Sequence, residues 1–263
     1  ARCHSQGGLS APRDWVDLSG VERIEAKPRL SIPGGGIYFY WNAGVLQFLR
    51  ENYDLRQCEF IGASAGALSL TLSACECDFV KATEFAYELT LKSDAYSRPL
   101  SLAGIWGDLV REWLQEVLPE NCAEICRYHV NVCVYDIFPR VQRSIYTDFI
   151  SKQDVIDCLM ASAHIPYFLD FNPCASYRRR LCIDGGSFRG SFRGGLVFSD
   201  GKLPDIALSY EDDQAIQDQY FDFLKLRNLQ GVMDLMELGY AYGEREMQRG
   251  GFDALEPARR VQA

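Results

Sequence analysis

The sequence predicts an α/β protein with a mainly parallel central sheet and helices on both of its faces. Three observations carry this. Short apolar runs alternate with longer stretches of helical periodicity through the first two thirds of the chain. Three of those runs end directly on turns of small residues, at Pro33-Gly34-Gly35-Gly36, Gly62-Ala63-Ser64-Ala65-Gly66 and Asp184-Gly185-Gly186, where parallel sheets place their ligands. Finally, 263 residues with 48% hydrophobic content suffice for one large core.

Taken in order, residues 1–28 read as a lead-in arm, broken by Gly7-Gly8, Pro12 and Pro28 and apolar only around Trp15, Val16 and Leu18. Residues 29–263 are expected to form one domain. Arg29-Leu30-Ser31-Ile32 is a strand, the glycine turn follows, and Tyr38 to Leu49 is a helix. Within it, Tyr38-Phe39-Tyr40-Trp41 is expected to pack in the core, with an acyl-chain entrance or a membrane contact as the lesser alternative. Glu59-Phe60-Ile61 is the next strand, followed by a helix from Ala65 toward Cys75 and further helices over Phe79–Leu91 and Leu109–Leu118. Tyr128–Val134 and Ser144–Phe149 have the Val-rich or alternating pattern of strands. Ser151 with Asp154 has the form of a capping box opening a helix that stops before Pro166. Leu181-Cys182-Ile183 and Ile206-Ala207-Leu208 are strands, and Leu229–Met247 is a final helix.

A formal charge of −9 argues against a nucleic-acid partner and against a broad polybasic membrane face. Arg178-Arg179-Arg180 is the compact basic run, read as a solvated hairpin tip in preference to a site for a lipid head group. Ten cysteines are expected to be core filler in a reducing compartment, since no secretory segment opens the chain and none of six asparagines begins a glycosylation sequon. Cys122 and Cys126 lie a helical turn apart without a second well-spaced pair, so no metal is expected. No apolar stretch approaches the length of a membrane span. An intracellular location is expected, cytoplasmic, peripheral to a membrane or organellar as in a plastid.

Ser64 is the candidate nucleophile. In G-x-S-x-G the serine occupies a cramped strand-to-helix turn, and Gly62 and Gly66 leave room for the backbone. Gly34, Gly35 and Gly36 open onto a helix and aim backbone N–H groups toward one point, suiting a phosphate or a developing oxyanion. No Gly-Lys-[Ser/Thr] follows, and Phe39 occupies the last glycine position of the dinucleotide fingerprint. Asp184, at a strand end before two glycines, is placed to enter a site. Only His4, His129 and His164 are present, so no histidine follows Asp184 as an α/β-hydrolase triad requires. Order alone leaves open a triad using Asp136 and His164.

In this order, Gly34-Gly35-Gly36 before Ala43-Gly44-Val45, Gly62-Ala63-Ser64-Ala65-Gly66, Ala161-Ser162 to Ile165-Pro166, and Asp184-Gly185-Gly186 resemble the motifs of the patatin-like phospholipases across residues 32–186. The resemblance implies a three-layer α/β/α fold and a Ser–Asp dyad. Ser64 is then the nucleophile, Asp184 its base, and Gly34, Gly35 and Gly36 the oxyanion hole, with no cofactor or metal. It implies a lipid acyl hydrolase on phospholipids or other glycerolipids, with peripheral contact to membranes or lipid droplets. Alternatives are a triacylglycerol lipase or transacylase on the same dyad, or a catalytically silent lipid-binding or storage protein. Two departures stand out. Tyr38 occupies a position where many members carry a basic residue, and Ser187-Phe188-Arg189-Gly190 replaces an acidic, proline-containing continuation.

Overall fold

A computed structural model describes residues 27–187, 195–217 and 226–260. The lead-in arm, but for Lys27 and Pro28, and the continuation beyond Ser187 lie outside the described residues. The elements run β1 (Arg29–Ile32), α1 (Phe39–Asn52), β2 (Glu59–Ala63), α2 (Ala65–Ala74), α3 (Phe79–Lys92), α4 (Trp106–Val117) and α5 (Cys122–Cys126). They continue with β3 (Val130–Phe138), β4 (Gln142–Tyr146), α6 (Lys152–Ser162), β5 (Ala175–Tyr177), β6 (Arg180–Ile183), β7 (Ile206–Ala207), α7 (Gln214–Gln217) and α8 (Leu229–Gln248). Helices flank one central sheet in the order β5-β6-β3-β2-β1-β7, with β4 pairing β3 off that path.

The expected α/β class holds. The core of the sheet, β3-β2-β1-β7, is parallel, while β4, β5 and β6 add antiparallel pairs. Local chemistry explains the boundaries. All ten residues of α2 are buried, so its sequence is apolar or small all round, without an amphipathic stripe. Asp78 and Asn228 cap α3 and α8 by accepting backbone N–H groups of their first turns. Ser151 Oγ accepts the Asp154 amide at 3.1 Å. The reciprocal bond goes one residue further out than a capping box requires, from the Ile150 amide to Asp154.

The active end of the sheet is set by register along β3. Cys133 faces Ala63 of β2 and Ile145 of β4, so those strands lie on opposite edges. Tyr135 faces Arg143 of β4 and Ile183 of β6, so β6 lies opposite β4 as well. Strands β2 and β6 therefore share one edge of β3 and approach each other end to end. Their last residues stand level with Cys133 and Tyr135, two positions apart, which is about 7 Å along a strand.

The C-terminal region closes the other flank. Trp41 Nε1–H of α1 donates to the buried Asp213 at 2.9 Å, and Arg245 of α8 donates to the same carboxylate at 2.8 Å. Helices α1 and α8 approach until a Cβ placed on Gly44 would stand 1.9 Å from the Met236 carbonyl. Among the described residues, no helix is long and apolar enough to cross a membrane.

The basic run is the hairpin tip between β5 and β6, but it is not simply solvated. Arg178 pairs with Asp148 and Asp154 at 2.6 and 2.8 Å, and Arg180 reaches the fully buried Asp136 at 2.6 Å. Nine described cysteines are free thiols, seven of them buried.

Candidate active site

Ser64 follows β2 and caps α2 with φ 50° and ψ −127°, a strained conformation for a residue with a Cβ. Close packing on both sides holds it there. A Cβ on Gly66 would stand 2.1 Å from the Ile32 carbonyl, and one on Gly62 2.7 Å from the Ala67 backbone. Any side chain at either position would push the elbow away from the sheet. The serine is 7% exposed and lies on the wall of a cavity.

Ser162, at the end of α6, completes the elbow. Its buried hydroxyl accepts the Ser64 amide at 2.8 Å and donates to the Cys133 carbonyl at 2.7 Å. Its own carbonyl accepts the Gly185 amide at 2.9 Å. One residue thus ties the serine turn, the middle of β3 and the Asp184 turn together. The sequence motif contained Ser162, but its spacing gave no hint of this role, because the partners come from three distant segments.

Asp184 leaves β6 into the gap that β2 and β6 leave on the edge of β3. It is also 7% exposed. Its amide donates to the His164 carbonyl at 2.8 Å, and its Oδ1 accepts the Gly186 amide at 2.6 Å, which fixes the carboxylate's direction. The glycine turn approaches both the serine and the turn after Asp184. A Cβ on Gly34 would stand 3.0 Å from the Ser64 Cβ, and one on Gly186 would stand 3.6 Å from the Gly34 Cα. Gly36, at φ 55°, lines the cavity with Ser64. A Cβ on Gly35 would stand 2.6 Å from the Tyr210 ring, which stacks on Tyr38 at 3.7 Å. Gly34, Ser64, Asp184 and the elbow glycines are therefore gathered in one place, as is Gly36.

Neither described histidine is hydrogen-bonded to Ser64. His164 Nε2 pairs with the Asn172 carbonyl at 3.2 Å. His129 immediately precedes β3, at the end of the sheet opposite Ser64, with its ring against Phe60. Burial holds its pKa below the usual histidine value. Asp136 accepts from Ser144 and Arg180 at 2.6 Å each and does not join His164. The Asp136–His164 arrangement left open by residue order is not formed.

The cavity has room of about 130 Å³ for the centres of water-sized molecules. Phe39, Leu68, Trp106, Trp113, Phe168 and Val232 are among its wall residues, so Phe39 and its neighbour Tyr40 serve the cavity as well as the core. Burial pushes the Tyr40 phenol up to about 12. The tryptophans and Val232 escaped sequence reading because six separate segments contribute the wall.

A flanked α/β sheet with a strained serine elbow at the strand ends defines the class of fold. The chain belongs to the patatin-like phospholipase family, whose model matches residues 30–194. It is 29% identical over 168 residues to 1-acylglycerol-3-phosphate O-acyltransferase Pnpla3 of Mus musculus, covering 62% of this chain and 40% of that protein. It is 29% identical over 180 residues to patatin-like phospholipase domain-containing protein 5 of Mus musculus, covering 65% and 39%. With omega-hydroxyceramide transacylase of Mus musculus it shares 26% identity over 162 residues, covering 60% and 26%. The matched region thus spans less than half the length of these relatives.

Proposed function

We propose that this protein is a lipid acyl hydrolase that works through an acyl-serine on Ser64 with Asp184 as the base. The observation that supports it most is the end-to-end approach of β2 and β6 on one edge of β3, since each strand is followed at once by a residue of the pair. Ser64 Oγ attacks the ester carbonyl carbon while Asp184 takes its proton. The amides of the Gly34–Gly36 turn hold the oxyanion. Collapse of the tetrahedral intermediate expels the glycerolipid alcohol, which recovers the proton from Asp184. Water, activated by the same carboxylate, then frees the fatty acid.

A transacylase differs only in the last step, where an alcohol replaces water. That reading is favoured by the acyltransferase and transacylase names of two relatives. Lipid contact is assigned to the rim of the cavity. The segments that supply Leu102 and Phe168 to its wall also expose Leu100 and Tyr167, at 60% and 64%.

The test is a lipid panel with purified protein, comparing phospholipids, galactolipids and mono-, di- and triacylglycerols with and without an acceptor alcohol. Fatty-acid release or acyl transfer that disappears in Ser64→Ala supports the proposal. Lipid binding without turnover on any of them would make the protein a binder.

A further inference from the structure

Two spaced pairs of cysteines, Cys75 with Cys77 and Cys122 with Cys126, come together where the end of α2 meets α5. Among the described residues no group of three or more His, Cys, Asp or Glu side chains is placed to hold a metal ion, so the chemistry open to this cluster is that of thiols. The four are not equivalent. Cys77 Sγ donates to the Val117 carbonyl at 3.3 Å, and Cys122 is fully buried. Cys75 and Cys126 face each other, with their Sγ atoms 3.8 Å apart, and no other two described thiols are joined in this way.

The surrounding backbone holds this pair together. At the end of α2 the Cys75 amide donates to the Thr71 carbonyl at 3.0 Å, and beyond α5 the Arg127 guanidinium donates to the Phe149 carbonyl at 2.8 Å. Cys75 is half-buried and open to a reagent from solvent, whereas Cys126 is fully buried. A disulfide is about 2.05 Å long, which leaves roughly 1.8 Å to close. The α2 side can yield that distance, because Cys75 lies beyond the last helical residue and precedes Glu76 at φ 54°, in a turn. The hydrogen bond to Cys126 and burial push the Cys75 pKa up, so attack on an oxidant is slow. The same two causes favour a disulfide once it has formed, since disulfides are most easily reduced where their thiolates are stabilised.

We propose that Cys75 and Cys126 are a redox-modification site, which a small disulfide such as oxidised glutathione converts into an intramolecular disulfide between the far end of the serine helix α2 and α5. Cys75 loses its proton to solvent and attacks one sulfur of the glutathione disulfide, whose S–S bond breaks; one glutathione leaves as thiolate and takes up a proton. Cys126, deprotonated in turn, attacks the Cys75 sulfur of the mixed disulfide and expels the second glutathione. Two protein thiols are oxidised, and one glutathione disulfide is reduced to two thiols. The partners are 51 residues apart in sequence, so the bond constrains a long loop of the unfolded chain.

The test incubates the full chain with oxidised glutathione for hours, alkylates the remaining thiols and maps the peptides by mass spectrometry. Peptides joined through Cys75 and Cys126 are expected as the main product, reversible by dithiothreitol, and the oxidised protein should melt roughly 5–10 °C above the reduced one. Cys126→Ser should stop at a glutathione adduct on Cys75, and Cys77→Ser should still form the cross-link. No cross-link in folded wild type, or a main product joining Cys75 to Cys77 or Cys122, would overturn the proposal, and neither result depends on a variant folding. A cross-linked protein that melts below the reduced one would contradict a site built into the native fold.

Discussion

Two buried carboxylates, Asp136 on β3 and Asp184 just beyond β6, have opposite surroundings. Asp136 is fully buried and surrounded by its own partners: Arg180 and Ser144 at 2.6 Å, with the Tyr146 hydroxyl and the Cys182 thiol at 3.5 Å. Asp184 ends β6 beside the serine elbow, and the Gly186 amide directs it. The first closes the sheet where β4, β3 and β6 meet. The second stands where β2 and β6 leave a gap. The two acids are both enclosed and differ in what they face.

The largest expected effect separates these two acids. Asp184→Asn keeps size and hydrogen bonding but removes the base, so turnover should fall by about 10⁴ with little change in melting temperature. Asp136→Asn should do the reverse. It leaves Arg180 without its counter-charge and should cost about 1–3 kcal/mol of stability, less than a wholly buried pair because the Arg180 side chain is 40% exposed. Turnover per folded molecule should stay within about fivefold of wild type, with the folded fraction of both variants taken from thermal and denaturant unfolding.

The glycine turn sharpens the comparison on the serine side. Gly34→Ala brings a methyl to 3.0 Å from the Ser64 Cβ, so the turn or the serine must shift. A loss of about 10²-fold in kcat is expected, as for displacement of one oxyanion donor, with a small change in stability. Gly35→Ala is different. Its methyl would meet the Tyr210 ring at 2.6 Å, so melting temperature should fall along with activity.

Ser162 joins both sides of the gap. Ser162→Ala leaves the Ser64 amide and the Cys133 carbonyl without their shared hydroxyl, at a cost of about 1–3 kcal/mol. A fall of about tenfold in kcat with KM unchanged is expected, because the elbow relaxes while the cavity remains; steady-state kinetics on one ester checks it.

The smallest effect is at the hairpin tip. Although burial opposes it, the Arg178 guanidinium, the Ile150 amide and the Tyr177 hydroxyl hold the Asp154 carboxyl below the usual carboxylate range. Because its folded pKa is depressed, its stabilisation is present above the unfolded value of about 3.9 and is lost as pH falls through the folded value. Asp154→Asn should cost about 1–2 kcal/mol at pH 7, and the gap to wild type should close below about pH 4 in a series of melting curves.

What could be read from the sequence was local. Arg29–Ile32 has its strand boundaries in the residues themselves, and the serine elbow is a contiguous motif. Glu59-Phe60-Ile61 stops short of the observed β2 because Gly62 and Ala63 look like turn residues; they remain in the strand by pairing Val132 and Cys133. Tyr128–Val134 ends before Asp136, since a carboxylate in an apolar run looks like a strand end. Arg180, 44 residues away, supplies the counter-charge that lets β3 continue to Phe138. The direction of β6 was equally hidden. Its tip, Arg178-Arg179, takes φ values of 45° and 64° without the glycine or asparagine that usually announces such a turn. Ser162 acquires meaning only from partners far along the chain.

The central claim is that Ser64 is activated by Asp184 without a histidine. Labelling by a fluorophosphonate, followed by mass spectrometry of wild type, Asp184→Asn and His164→Gln, tests it most directly because it reports nucleophile reactivity without any assumption about the lipid. The account predicts a single adduct on Ser64 in wild type, a labelling rate lower by at least about 10²-fold in Asp184→Asn, and substantial labelling in folded His164→Gln. Full labelling in Asp184→Asn together with none in folded His164→Gln would contradict it.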